Sequence, residues 1–326
     1  MSTITAILAA ALPTAVYSLL LWWLDRYEKE PLPLILAAFL WGALPAIALA
    51  VLFELVLATP LERSPLGPGV AVWGLAPLVE EPVKGLALVG LFYFARQEFD
   101  GPLDGIVYGA LIGFGFSMTE NLLYFLRYTS DDTLFWVRGV IFGMNHAFFT
   151  SMIGLALGAV RYSHSRRRSV LALLGGLALA ILFHALHNFA VRYQFPGLLL
   201  SWLIESGGVL VVLAVAALAW RRERRWIEEE LGEEVRAGVL TARDYAEITS
   251  PPLRVRRQVA ALLAGGWLRY RQVRRLHHLA TKLAFRKSQA RLDDDCHPAD
   301  ACERLRHEIV VLRTALRGEE SAWSEY

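Results

Sequence analysis

The stretch PLVEEPVKGLALVGLFYF, residues 77 to 94, sets Glu80, Glu81 and Lys84 among apolar neighbours. Three later apolar runs each hold comparable groups: Glu120 followed by Asn121, Asn145 with His146, and His184, His187 and Asn188 in HALHN. Carboxylates and imidazoles gathered in a half-dry cavity suit the activation of water. A carboxylate takes the proton, and imidazole or amide donors hold the oxyanion formed when a carbonyl is attacked. Two histidines and an acid could equally hold a divalent ion such as zinc with an open water position. The residue types leave both chemistries open. Glu80 precedes Lys84 by one helical turn, the favourable order for an ion pair. Glu80 and Glu81 point about 100° apart on a helix, so their roles should differ. Pro77 and Pro82 bracket the pair and are expected to distort the helix and make room for water.

Such groups need elements that bring them together. The chain has 326 residues, 55% hydrophobic and 20% charged, with a mean hydropathy of +0.40, values that exclude an ordinary soluble enzyme. Up to Trp220, apolar runs long enough to cross a hydrocarbon layer of about 30 Å alternate with short polar joints. The expected fold is an all-α polytopic membrane protein of about seven transmembrane helices, near residues 3–24, 34–58, 70–95, 103–127, 134–160, 170–192 and 197–220. Residues 1–220 would form this membrane domain and 221–326 a cytoplasmic, helical, partly basic region. The first run reads as a retained span, and no cleavable targeting segment is evident. Arg26, Lys29, Arg96, Arg161, Arg166–Arg168 and the arginines from Arg221 to Arg225 share one side, against Arg63, Arg127 and Arg192 on the other. That asymmetry places the N-terminus outside and the C-terminus in the cytoplasm of a bacterial inner membrane.

Ionisable groups inside spans are costly and mark function by default. Counted along their spans, Glu80, Glu120, His146 and His184 all fall roughly 10 to 18 Å below the outer surface. Small residues accompany them: Gly105, Gly109, Gly113 and Ser117; Gly139, Gly143 and Ala147, then Thr150, Gly154 and Gly158; Gly176 and Ala180. Such stripes let helices pack closely in lipid, so the polar faces should turn inward.

EEPVK at 80–84, FSMTEN at 116–121, His146 and HALHN at 184–188 resemble the motifs of the PrsW family of intramembrane proteases. DRYEKEP at 25–31 and DGPLDGIVYG at 100–109 resemble its joints. The family belongs to a superfamily that includes CAAX prenyl proteases and bacteriocin-processing proteins. The resemblance implies hydrolysis of peptide bonds in single-pass membrane substrates, such as site-1 cleavage of an anti-sigma factor. It implies Glu80 as general base, Glu81 in support, Glu120 where prenyl-protease relatives have histidine, His146 and His184 positioning water or the oxyanion, and Asn188 as a second donor. Phe116 would shape the cavity, and Lys84 stands near the place of the superfamily's arginine. The family carries a metalloprotease label while superfamily relatives are argued to use glutamate alone; no cofactor is favoured, and zinc is the alternative.

His187 reads more readily as a packing residue than as a ligand, Glu205 falls near the shared depth, and Glu54 is expected to snorkel outward. A proton-coupled transporter or channel is the rival reading, but its polar groups would spread through the whole depth. No serine, aspartyl or H-E-x-x-H protease motif is present, and Ser117 in GFSM is discounted. In the tail, GVLTARDY reads as a turn, a Thr cap and a helix start. Residues 254–287 form a basic amphipathic stretch suited to the inner leaflet or a cytoplasmic protein, with a solvated bundle as the plainer reading. Compensating acids argue against nucleic acid. Cys296 and Cys302 read as free thiols, and DDDCHPADAC lacks the paired spacing of a zinc site.

Overall fold

The computed structural model describes residues 2–24, 30–62, 70–96, 98–128, 132–163, 165–292 and 299–323, and no strand occurs among them. The first helix is α1 (Thr3–Leu24); α2 (Leu32–Trp41) and α3 (Ile47–Glu62) are joined by a π-helical turn, Gly42–Ala46, that holds Pro45. A second π-helical turn, Ala71–Leu75, leads into α4 (Ala76–Phe94), which is followed by α5 (Pro102–Arg127). A short turn, α6 (Asp132–Leu134), runs into π-helical Phe135–Ile141 and then α7 (Asn145–Ala159). Next come α8 (Arg166–Ala190), α9 (Gln194–Arg236), α10 (Ala242–Thr249), α11 (Pro251–Leu292) and α12 (Ala299–Trp323).

Five stretches among the described residues are long and apolar enough to cross a membrane: Thr3–Trp23, Leu32–Leu57, Pro102–Arg127, Phe135–Ala159 and Arg166–Arg236. The last contains both α8 and α9. Helix α4 falls short of that composition because Glu80, Glu81 and Lys84 share one turn of it. The protein is an all-α polytopic membrane protein. Two compact units divide after Ala217.

In the membrane unit α5 is the centre, packing on α7, α1 and α2, while α8 packs on α7 and α4. The reason lies in the glycines. A Cβ on Gly105 would run into the backbone of Gly154, one on Gly113 into the carbonyl of His146, and one on Gly115 into that of Phe39. Backbones in direct contact gain dispersion and carbonyl dipole contacts that lipid tails cannot match. On α8, Gly176, Ala180 and His184 are buried while Leu171, Leu179 and Leu182 are exposed, so one face meets protein and the other meets lipid.

Three expectations need correction. The fifth span is not one helix: the α-helical path breaks at Phe142–Met144, immediately before Asn145 and His146. Irregular backbone at that depth is tolerated where it lines a polar cavity. The distortion expected at Pro82 is absent, since α4 continues through it and the π-helical turn lies upstream at 71–75. The change to Arg/Glu-rich sequence after Trp220 is no helix end, because α9 has no proline beyond its first turn and continues to Arg236.

The C-terminal unit buries Ile227, Leu231, Leu240, Ile248, Leu276, Leu283 and Phe285. Helix α10 starts in a capping box: the Asp244 N–H donates to Thr241 Oγ1 (3.0 Å), and the Thr241 N–H to Asp244 Oδ2 (2.9 Å). The basic stretch is split by Gly266, at φ 65°, which breaks α11. Residues from Val273 onward supply most of its core contacts, while Val255 and Leu263 before the break and Trp267 and Leu268 just after it are exposed. Glu230, Glu233 and Glu234 form ion pairs with Lys287, Arg291 and Arg306. Cys302 is a buried free thiol; Cys296 lies outside the described residues.

Candidate active site

Lys84 is fully buried and stands at the centre of the polar cluster. Its ammonium donates to Glu80 Oε2 at 3.0 Å and Glu81 Oε1 at 2.8 Å, and lies 3.0 Å from His146 Nδ1. The face of Phe116 lies 3.8 Å from Nζ, a cation–π contact that offsets desolvation of the charge. The two carboxylate contacts follow from local helix geometry, and the other two from the packing of α5 and α7 on α4. Glu80 and Glu81 sit one turn before Lys84 on α4, Phe116 sits on α5, and His146 opens α7.

The two glutamates take different roles. Glu81 is fully buried: Oε1 also accepts from His184 Nδ1 at 2.9 Å, and Oε2 accepts from Thr150 Oγ1 at 3.0 Å. Glu80 lines a cavity of about 440 Å³ together with Glu120, His146, His184 and Asn188. His146 Nε2 lies 2.9 Å from Glu120 Oε2, and the His146 and His184 rings meet edge to face at 5.0 Å. Phe149 stacks on His184 at 5.0 Å and fixes its plane. Every residue singled out in the four motifs therefore either lines one cavity or, as with Glu81, sits directly behind it.

Other residues were not foreseen in these places. Arg138 bridges two groups of α5, donating from Nη2 to Glu120 Oε2 at 2.7 Å and from Nε to Asn121 Oδ1 at 2.9 Å, with its guanidinium over Tyr124. A lone arginine within an apolar run was the available signal. Glu54 lines the cavity rather than snorkelling outward. His187 is more than packing, since it lines the cavity and its Nδ1 lies 2.7 Å from Glu205 Oε1. Glu205 itself is set behind His187 and does not line the cavity.

A metal can be tested against these side chains. One ligand atom from each of Glu80, Glu81, His146 and His184 lies within 4.8 Å of the others, a donor set that could hold a divalent ion. Yet the Lys84 ammonium already contacts three of the four. A second cation there would compete for the same lone pairs and be repelled at short range. With Lys84 in this position the donor set does not fit a metal.

Comparison with known proteins adds an independent line. The sequence pattern of the family described as PrsW family intramembrane metalloprotease matches residues 30–221. Protease PrsW of Geobacillus kaustophilus is 30% identical over 204 residues, covering 62% of this chain and 81% of that protein. Protease PrsW of Bacillus subtilis is 27% identical over 207 residues, covering 60% and 91%. Protease PrsW of Shouchella clausii is 26% identical over 212 residues, covering 65% and 94%. No solved structure matches.

Proposed function

The chain belongs to the PrsW family of intramembrane proteases, and on that premise we propose that Glu80 activates a water molecule for peptide-bond hydrolysis, with Lys84 in place of a metal ion. The protein is a membrane-embedded protease acting on membrane protein substrates in a lipid environment. The observation that carries the mechanism is the division of labour on α4: Glu80 faces the cavity while Glu81 is sealed behind it, and one ammonium holds both.

In this reading a water beside Glu80 gives up its proton as it attacks the scissile carbonyl. Glu81 fixes the tautomer of His184: an ionised carboxylate only accepts, so Nδ1 carries the hydrogen and Nε2 keeps a lone pair to orient the water. Asn188 stands at the cavity wall as a donor for substrate or oxyanion, and His146, with one ring nitrogen on Lys84 and the other on Glu120, holds those two groups in register. The Lys84 charge lowers the energy of a negative centre in surroundings that water screens poorly. The polar groups gather around one cavity rather than along a path through the bilayer, which favours a hydrolase over a proton-coupled transporter.

The finer setting belongs to the same reading. The arginine asymmetry supports an inner-membrane protein with its N-terminus outside and its tail in the cytoplasm, and a single-pass substrate cut near its outer juxtamembrane segment. An anti-sigma factor fits that description. In the tail, exposed Leu263, Trp267 and Leu268 beside Arg256, Arg271 and Arg274 support contact with the anionic inner leaflet.

The test is cleavage of single-span peptides in proteoliposomes, with products mapped by mass spectrometry. Wild type should cut at one region near the outer face, and Glu80→Gln and His184→Ala should each lose cleavage while eluting as folded protein. Full activity in either variant would remove its residue from the mechanism.

A further inference from the structure

A second acid–imidazole pair stands at the same cavity, one helical turn after His184 on α8. His187 Nδ1 lies 2.7 Å from Glu205 Oε1 and 2.8 Å from Ser201 Oγ, and Ser201 Oγ donates to Glu205 Oε1 at 2.8 Å. Ser201 and Glu205 are one turn apart on α9, 2% and 5% exposed, and neither lines the cavity. His187 does line it, held edge to face on Phe142 at 5.0 Å, with the Asn145 side-chain nitrogen 3.4 Å from Nε2. Glu205 Oε2 is buried and finds no hydrogen-bond partner among the described residues.

A carboxylate sunk into a membrane protein with one oxygen unsatisfied is costly. Simple helix packing would be served by an amide or an apolar side chain. The arrangement repeats that of Glu81 behind His184: an acid set back from the cavity holds Nδ1 of a histidine that lines it. Hydrolysis of a peptide bond needs two proton transfers, one from water and one to the departing nitrogen. Glu80 serves the first. A separate acid at the cavity wall can serve the second while Glu80 still holds the water proton.

The geometry points to His187 as the catalytic acid that protonates the leaving amine, with Glu205 and Ser201 as positioning residues; this rests on the proposed Glu80 hydrolysis. To act as the acid, His187 carries a hydrogen on Nε2 as well as on the Nδ1 that meets Glu205. Attack of water on the carbonyl passes one water proton to Glu80 and leaves a tetrahedral carbon still bonded to nitrogen. His187 Nε2–H then gives its proton to that nitrogen as the C–N bond breaks, with the bond's electron pair staying on nitrogen. The free amine and the new carboxyl group depart. His187 is left neutral with Nδ1–H toward Glu205, and the proton held by Glu80 returns to it through cavity water. One water has then been added across one bond, with both residues restored.

The experiment uses the whole protein in proteoliposomes and two probes. One is a single-span peptide whose cleavage site by wild type has been mapped, and the other is its depsipeptide, with an ester at that bond. An alkoxide leaves without full protonation and an amine does not. His187→Gln should therefore lower the rate on the amide by about 100-fold or more and on the ester by less than about 10-fold, and Glu205→Gln should show the same split more weakly. Retained ester cleavage also reports a folded protein. An equal loss on both probes in His187→Gln, or an undiminished amide rate, overturns the assignment. The hydrolase reading fails separately and earlier, if wild type cuts no single-span peptide and leaves no site to map.

Discussion

Lys84 Nζ lies 3.0 Å from His146 Nδ1, and this contact decides how the histidine is used. An ammonium has three N–H donors and no acceptor, and Glu80, Glu81 and His146 supply three acceptors. His146 therefore offers the Nδ1 lone pair to Lys84 and carries its hydrogen on Nε2, which donates to Glu120 Oε2 at 2.9 Å. The chain of contacts runs from α4 through α7 to α5, so the charge at position 84 orders side chains on three helices.

Removing that charge should be destabilising as well as inactivating. Lys84→Met leaves Glu80 and Glu81 buried without their cation, which costs about 3–5 kcal/mol. Adding Glu81→Gln should restore part of the loss, because one of the two uncompensated carboxylates is then gone and the two changes share a partner. Thermal unfolding in detergent micelles would measure both. Additive destabilisation in the double variant would mean that Lys84 and Glu81 act independently.

Close helix contact should be tested at two glycines of opposite surroundings. At Gly113 a Cβ meets the His146 carbonyl, so Gly113→Ala must push α7 from α5 and carry His146 with it. A cost of about 1–3 kcal/mol together with loss of cleavage is expected. At Gly90 of α4 a Cβ has open space, and Gly90→Ala should leave activity intact and gain up to about 1 kcal/mol from helix propensity. Melting curves and the peptide assay, run on both variants, separate tight packing from general intolerance of change.

The C-terminal unit carries its own pH signature. Burial holds the pKa of His277 below its ordinary value, and the Arg254 and Arg257 charges add to this against the opposing pull of the Glu247 carboxylate. The unfolded chain then binds a proton near pH 6.5 that the folded one refuses. Stability should fall as pH drops below about 6.5, by at most about 1.4 kcal/mol per pH unit, and be constant above it. His277→Gln should flatten that slope. Thermal midpoints measured from pH 5 to 8 would show it, and an unchanged slope in the variant would assign the effect elsewhere.

The site was legible in the sequence because membrane depth is countable. Glu80, Glu120, His146 and His184 fell at one level by helical rise alone, and they meet in one cavity. The glycine stripe on α5 was legible for the same reason, since spacing four on a helix is one face. What could not be read depended on breaks and partners distant in sequence. Arg138 reaches Glu120 only because α7 starts afresh at Asn145, and periodicity cannot show a break at Phe142–Met144. Glu54 turns inward through the path of α2 and α3 around Pro45. Helical rise sets Glu205 level with the site, but its pairing with His187 depends on how α9 lies against α8, which no local pattern encodes.

The account turns on water activated by Glu80 beside an ammonium instead of a metal ion. The most direct measurement is the initial rate of peptide cleavage by enzyme stripped of divalent ions, with elemental analysis of the same sample and Glu80→Gln run in parallel. The predicted result is a wild-type rate unchanged at less than about one metal ion per hundred chains, with no cleavage by Glu80→Gln. A rate that vanishes on stripping and returns in proportion to added zinc would contradict it.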